Sequence, residues 1–531
     1  MQKATQMVLM GLLIFLAGCQ FKESGITPQS TLPTDLSLQQ EIVPLDGKAP
    51  MTIGELERVM VDKWAEKGEL KWEDFDAYVA WSALVRSDSM ISVGYQPADY
   101  QNINETIHLI DVNNPEWKQV REDLIQFIVE ETNKLNPENR VEALDILGFG
   151  EQELPFFFVR VYNYEILAKL REMKVVRYAE PSGYSPLAYQ NNRSSSGCGL
   201  SNPTSQPPSS YYGTTTPSTT KISWNHLDNQ YHHINNAWNN GADGDNITVG
   251  VIDTGISGSQ SKLNGSYSSG SSTGRYREKF GTYKTGWWWW ARLDGPDDKC
   301  GHGTSMAGVI AAPRAGGGAS MGVAWKSNLI SVRGTSDVIV NGSNEKNGVA
   351  DALRLLGNRS DVKIISMSIG DVFSSGTVSD GIRYANNRGK LIFAAGGTST
   401  SFTNWVGVIF PASMNETVAV TGVDTGTPLR RCDVCHSGNK IDFAVIMEDR
   451  NNSNKHPLTL APSGNIPDLV GGSSVATATM AGMAALVWGE NPSASKSTIL
   501  QKLKEAGEFY PSRDGSFGWG RVDMNDALSG I

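Results

Sequence analysis

Five short runs constrain this chain most: "ITVGVID" (247–253), "LISVRG" (329–334), "VKIISMSIG" (362–370), "KLIFAAGG" (390–397) and "TVAVTGV" (417–423). They are apolar at successive positions and mostly β-branched, which suits strands covered on both faces. Between and around them lie "HGTSMAGVIAA", "NGVADALRLLG", "SDGIRYANNRG" and "SSVATATMAGMAALVWG", all with helical patterning. Alternation of the two types from about Ile222 to Ile531 predicts an α/β domain with a mainly parallel sheet flanked by helices.

At 531 residues the chain exceeds one ordinary domain. A second unit is expected over 52–181. There "TIGELERVMVDKWAEKG" and "EWKQVREDLIQFIVEETNKL" carry apolar residues at three- and four-residue spacing, and "ELPFFFVRVY", "NYEILAKLREM" and "VVRYAEP" read as strand, helix and strand. Between Pro181 and Lys221 the only charged residue is Arg193, so 182–221 has linker composition and is a candidate processing region. Residues 19–51 read as a polar tether.

The first 18 residues place Lys3 before "MVLMGLLIFLAGC", too short a run to span a bilayer and typical of an export signal. Its end, Leu16-Ala17-Gly18-Cys19, resembles the bacterial lipobox, which implies lipidation of Cys19 and anchoring to a membrane. Gln20 resembles the outer-membrane sorting pattern. The chain is therefore expected to be exported, at the outer membrane or released after processing. The formal net charge of −10 argues against nucleic acid as a partner.

Export permits disulfides, and Cys198, Cys300, Cys432 and Cys435 allow three pairings that the sequence leaves open. "CDVCH" (432–436) formally matches a haem-attachment pattern, but its setting between a core strand and a loop favours a disulfide. "DGPDD" (294–298) and "GADGDN" (241–246) offer oxygen ligands without completing a calcium loop.

Three segments carry the groups of nucleophilic acyl transfer. "VGVIDTGIS" ends a strand at Asp253, "CGHGTSMAG" sets His302 at a helix start, and "GGSSVATATMAG" sets Ser474 in a turn opening a long helix. A serine needs a base to take its proton, and the base needs an acceptor to hold its tautomer. These motifs, with "MGVAWKSNLISVR", "FPASMNETVAVTGVD" and "GWGRVDMNDAL", resemble the subtilisin-like serine proteases (subtilases) over roughly 215–531. The resemblance implies a three-layer subtilisin-like fold over 222–531 and hydrolysis of protein or peptide substrates through an acyl-enzyme. Asp253 would orient His302, and His302 would be the base for the nucleophile Ser474. Ser366, Met367, Ser368, Ile369 and Gly370 would pair with an extended substrate, and Ala394, Ala395 and Gly396 would line the S1 pocket. No cofactor is implied for the chemistry; structural calcium is compatible with the family.

The chain departs from the family at Gly397, where an asparagine normally donates to the oxyanion beside the Ser474 N–H. The serine motif also has Ser473, Val475, Ala478 and Thr479 where Thr, Met, Pro and His are usual. These departures leave open a slow or inactive scaffold acting as a surface binding module. Residues 154–181 resemble the last third of an inhibitory subtilase propeptide, and 110–181 is the most similar part. This implies an α+β prosegment (52–181) acting as intramolecular inhibitor, with self-cleavage in the linker after Glu180. In Trp287–Trp290, alternate side chains of an extended run face opposite ways, so all four cannot enter one core. One pair is expected beneath the loop, the other semi-exposed or forming a cleft wall.

Overall fold

The computed structural model describes residues 36, 45, 47–149, 153–184, 198–199, 201–217, 219–286, 290–398 and 407–529. The expected export signal (1–18), Cys19 and Trp287–Trp289 lie outside the described residues. Among the described residues no helix is long and apolar enough to cross a membrane.

In the N-terminal unit, helix Ile53–Lys67 is set by its ends. The Thr52 hydroxyl accepts the Glu55 N–H while the Glu55 carboxylate accepts the Thr52 N–H, and Gly68 closes the helix in the left-handed region. Its buried residues, Leu56, Met60 and Trp64, recur every fourth position. Helix Pro115–Leu135 begins at a proline, where the missing N–H costs no bond, and buries Trp117, Val120, Leu124 and Ile128. Strands β1 (Met90–Tyr95), β2 (Leu147–Gly148), β3 (Phe156–Arg160) and β4 (Val176–Pro181) form an antiparallel sheet in the order β2-β3-β1-β4. Helix Tyr164–Glu172 joins β3 to β4, completing the strand–helix–strand pattern read from the sequence.

The second unit starts earlier than its sequence suggests. β5 (Tyr212–Thr215) and β6 (Thr220–Ser223) pair as an antiparallel hairpin inside the stretch with linker composition, and Cys198 is disulfide-bonded to Cys300. Composition misleads there because the threonines are β-branched and the order comes from partners far along the chain, such as the bond from Lys221 N to Ala319 O.

The remaining strands are β7 (Thr248–Asp253), β8 (Arg277–Gly281), β9 (Lys284–Thr285), β10 (Arg292–Leu293), β11 (Asn328–Arg333), β12 (Val362–Met367), β13 (Leu391–Ala395), β14 (Val418–Asp424), β15 (Phe443–Glu448), β16 (Leu458–Leu460) and β17 (Pro467–Leu469). Seven form one sheet in the order β15-β14-β13-β12-β7-β11-β8, every neighbour parallel. β9 and β10 make a separate ribbon around the tryptophan run, and Trp290 is exposed.

Period-two alternation sorts this sheet into two cores. Val249, Val251, Ile364 and Phe393 pack with helices His302–Ala311 and Gly472–Glu490. Ile252, Ile365 and Ile392 face the other way, onto helices Ser343–Asn358 and Gly376–Asn387. This is the expected three-layer α/β arrangement.

The N-terminal unit sits on the second helix pair. Arg177 Nη1 donates to Asp380 Oδ1 at 2.9 Å, the Tyr178 hydroxyl donates to the same carboxylate, and Trp72 stacks on Phe373 with centroids 4.6 Å apart. Glu180 Oε1 accepts the Gly376 N–H at 2.7 Å, and the buried Lys346 donates to Ser182 O at 2.8 Å.

Candidate active site

The site forms at the carboxyl ends of the parallel strands, where open α/β sheets place ligands. Asp253 ends β7 and is fully buried; His302 is the first residue of its helix, behind Gly301 in the left-handed region. His302 Nδ1 lies 2.8 Å from Asp253 Oδ1 and 3.0 Å from Oδ2. A carboxylate can only accept, so Nδ1 carries the proton and Nε2 presents its lone pair. Burial pushes the imidazole pKa down, but the charge and hydrogen bond of Asp253 push it further up, and the net shift is upward.

Asp298 fixes both halves of this pair, a role the sequence reading missed. Its Oδ1 accepts the N–H of Cys300 and of Gly301 and the Thr254 hydroxyl, at 2.7–2.9 Å. Its Oδ2 accepts the N–H and the hydroxyl of Thr304 at 2.9 and 2.6 Å. One carboxylate thus caps the His302 helix and ties it to the residue after Asp253. An acidic residue just ahead of a helix start was the available signal.

Ser474 is the third residue of helix Gly472–Glu490, so its N–H is among the four without an intrahelical partner. Its Oγ donates to Ser368 O at 3.4 Å, and Ser368 Oγ donates to Ser474 O at 2.9 Å. No hydrogen bond joins Ser474 to His302 among the described residues; catalytic bonds commonly tighten only when substrate binds.

Of the expected substrate strand, Ser366 and Met367 lie inside the sheet, each with register partners on β7 and β13. Ser368 and Ile369 extend past the sheet, while Gly370 exchanges bonds with Val338 and Val340. Ala394 and Ala395 are buried in β13, and a Cβ at Gly396 would lie 2.6 Å from Ile441 Cδ1, the movable end of a side chain.

Gly397 has φ +122°, and a Cβ there would meet His436 Nδ1 at 2.3 Å. The His436 ring therefore fills the space beside residue 397. Its Nδ1 donates to Gly407 O at 2.9 Å and its N–H to Gly397 O at 3.0 Å. Cys432 and Cys435 form a disulfide, which removes the thiols that haem attachment requires. Asp294 pairs with Arg333 and Lys299, and Asp297 with Lys279. Among the described residues no group of three or more His, Cys, Asp or Glu side chains could hold a metal ion.

Residues 244–520, a little over half the chain, match the subtilase family. The chain is 31% identical over 215 residues to the thermostable alkaline protease of Halalkalibacterium halodurans, covering 40% of this chain and 54% of that one. It is 23% identical over 433 residues to the thermophilic serine proteinase of a Bacillus species, covering 80% and 92%. The match thus spans about half of the first relative and nearly all of the second. Among solved structures it is similar to fervidolysin from Fervidobacterium pennivorans, a keratinolytic enzyme related to subtilisin, with TM-score 0.54 and 18% identity over 83% of this chain and 61% of that one. The family match and the parallel sheet agree: this chain belongs to the subtilase family.

Proposed function

We propose that this protein is a serine endopeptidase that cleaves protein or peptide substrates with Asp253, His302 and Ser474 as its triad. The observation carrying this reading is the buried two-oxygen contact of Asp253 with His302 Nδ1, which leaves Nε2 as the base. Nε2 takes the Ser474 proton as Oγ attacks the substrate carbonyl, and the Ser474 N–H stabilises the developing oxyanion. The intermediate collapses as Nε2–H protonates the leaving amine. Water then repeats the cycle on the acyl-enzyme, with His302 again as base. Ser368 and Ile369 would pair with the substrate backbone by β-augmentation, with Ala394–Gly396 beside the S1 pocket.

The N-terminal unit would be a prosegment, covering 52–181 and inhibiting its own catalytic domain. Its burial against helices Ser343–Asn358 and Gly376–Asn387 supports that reading, as do Ser182 and Tyr184, which remain buried past the end of β4. Processing is then expected between Tyr184 and Cys198. Cys198 would keep the new N-terminus tied to Cys300, and the prosegment would leave without a covalent link. The lipobox-like Cys19 supports synthesis as an exported lipidated zymogen, whose membrane anchor departs with the prosegment.

A serine-directed fluorophosphonate tests the reading. Labelling of the wild type that is lost in Ser474→Ala is expected, together with a new N-terminus in the wild type alone. The second reading, a slow or inactive scaffold that binds at the surface, is favoured by Gly397. Absent labelling of a processed chain would select it.

A further inference from the structure

Arg333 is a cation buried among backbone carbonyls at the carboxyl end of the sheet, one strand away from Asp253. It ends β11 in register with Asp253 on β7, and the next amide, Gly334 N–H, donates to Asp253 O at 3.0 Å. Its side chain is 2% exposed, and a guanidinium leaves water only where acceptors replace the solvent. Nη1 donates to Thr254 O at 3.3 Å and to Asp297 O at 2.7 Å, and Nη2 donates to Asp294 Oδ2 at 2.6 Å.

The two carbonyls belong to the two segments that hold the Asp253–His302 pair. Thr254 is fully buried, and its N–H donates to Asp253 Oδ1 at 2.7 Å. Its hydroxyl donates to Asp298 Oδ1 and accepts the Gly303 N–H, both at 2.9 Å. Asp297 precedes Asp298, whose carboxylate caps the His302 helix. The segments are in close contact: a Cβ at Gly255 would lie 2.5 Å from Pro296 O, and one at Gly303 would overlap Gly255 O. One planar fork thus fastens the strand end bearing the acid to the loop that starts the helix bearing the base.

We propose that Arg333 is a positioning residue of the triad, setting the Asp253–His302 contact through Thr254 O and Asp297 O. It moves no proton in the cycle, and no bond to it forms or breaks. The Asp294 carboxylate, shared with Lys299, anchors the other nitrogen of the fork. The inference rests on the peptidase reading above.

The test compares Arg333→Lys, Asp294→Asn and wild type, expressed as the full chain and assayed on a peptide anilide after processing. Lysine keeps the charge, but one ammonium nitrogen cannot span three acceptors at Thr254, Asp294 and Asp297. Arg333→Lys is therefore expected to lose about 10- to 100-fold in kcat with KM within about threefold, the scale of a small misplacement of a catalytic group. Burial lowers the His302 pKa, while Asp253, then Asp298 and Asp337, raise it. Loosening the Asp253 contact should thus move the acid limb of kcat/KM to lower pH, which a loss of stability alone would not do. Asp294→Asn keeps an acceptor for Nη2 and removes only the ion pair, so its kcat should stay within threefold while its Tm falls. The downfield proton resonance of His302 Nδ1–H reports the contact even in a chain that processes slowly. It should broaden by exchange with water in Arg333→Lys and stay sharp in Asp294→Asn. An active wild type whose Arg333→Lys variant keeps kcat within threefold and the same acid limb overturns this proposal alone. So does an Asp294→Asn variant that loses as much kcat as Arg333→Lys, since the ion pair would then be the cause. A wild type that neither cleaves nor labels at Ser474 overturns the peptidase reading with it.

Discussion

At the scale of single residues, the proposed chemistry turns on His302 and Gly397. The proposed triad needs neutral His302, and Asp253 holds its pKa above the ordinary histidine value despite burial. Activity should therefore rise with pH along an acid limb centred above about 6.5. Asp298 contributes to that upward shift and caps the same helix. Asp298→Asn should move the acid limb of kcat/KM to lower pH, by removing a negative charge that favours the imidazolium. It should also cost about 1–3 kcal/mol of stability, because an amide nitrogen cannot accept the Thr304 N–H and hydroxyl. A pH–rate profile and a denaturant titration separate the two effects. Gly397→Asn restores the family residue in sequence but not in space. The side chain would start 2.3 Å from His436 and at a φ that only glycine adopts readily. Its expected outcome is lower activity and lower stability than wild type, measured as kcat/KM and Tm.

At the scale of elements, helix Gly472–Glu490, which carries the proposed nucleophile near its start, runs through the middle of the larger core, buried on nearly every face. Such a helix has no polar stripe, and its position is set by small residues where other backbones approach. Gly482 is one: a Cβ there would lie 2.6 Å from Val323 Cβ. Gly482→Val should destabilise the fold by about 1–3 kcal/mol and displace the Ser474 turn, so kcat should fall as well. A variant with wild-type urea midpoint and activity would count against this account of the helix.

At the scale of the whole molecule, the two units meet across buried polar contacts. Asp380 is fully buried and accepts from both Arg177 and Tyr178, so Asp380→Ala leaves the part-buried Arg177 without its carboxylate, held only by the Tyr95 and Pro155 carbonyls. Breaking one side of a buried pair costs up to about 3–5 kcal/mol, and less where carbonyl partners remain, so the N-terminal unit, the proposed prosegment, should dissociate more readily. Glu180 gives this interface a pH dependence. Burial raises its pKa to about 7, against the pull of Lys346 and of the Gly376 N–H. A group whose docked pKa exceeds its free value stabilises docking below the free pKa and loses that contribution as pH rises through the docked pKa. Affinity of the proposed prosegment for the rest of the chain should therefore weaken by about tenfold or more between pH 5 and pH 8. Glu180→Gln should flatten that dependence, as measured by inhibition of the catalytic unit.

The sequence by itself determined the parallel sheet, the helices that cover it and the three segments holding Asp253, His302 and Ser474. Those features rest on local periodicity and on residues that mark strand ends and helix starts, all written in short windows. The tertiary structure decided what no window contains. It set Ser366 and Met367 inside the sheet, between β7 and β13, with Ser368 and Ile369 beyond its edge. It ordered the 212–223 hairpin within a stretch of linker composition, and chose Cys198–Cys300 and Cys432–Cys435 from three pairings. It set His436 against Gly397 and Thr398 against Ser473. The Cys198–Cys300 bond, the His436–Gly397 contact and the Thr398–Ser473 contact join residues well apart in the chain, fixed by packing rather than by neighbours in sequence.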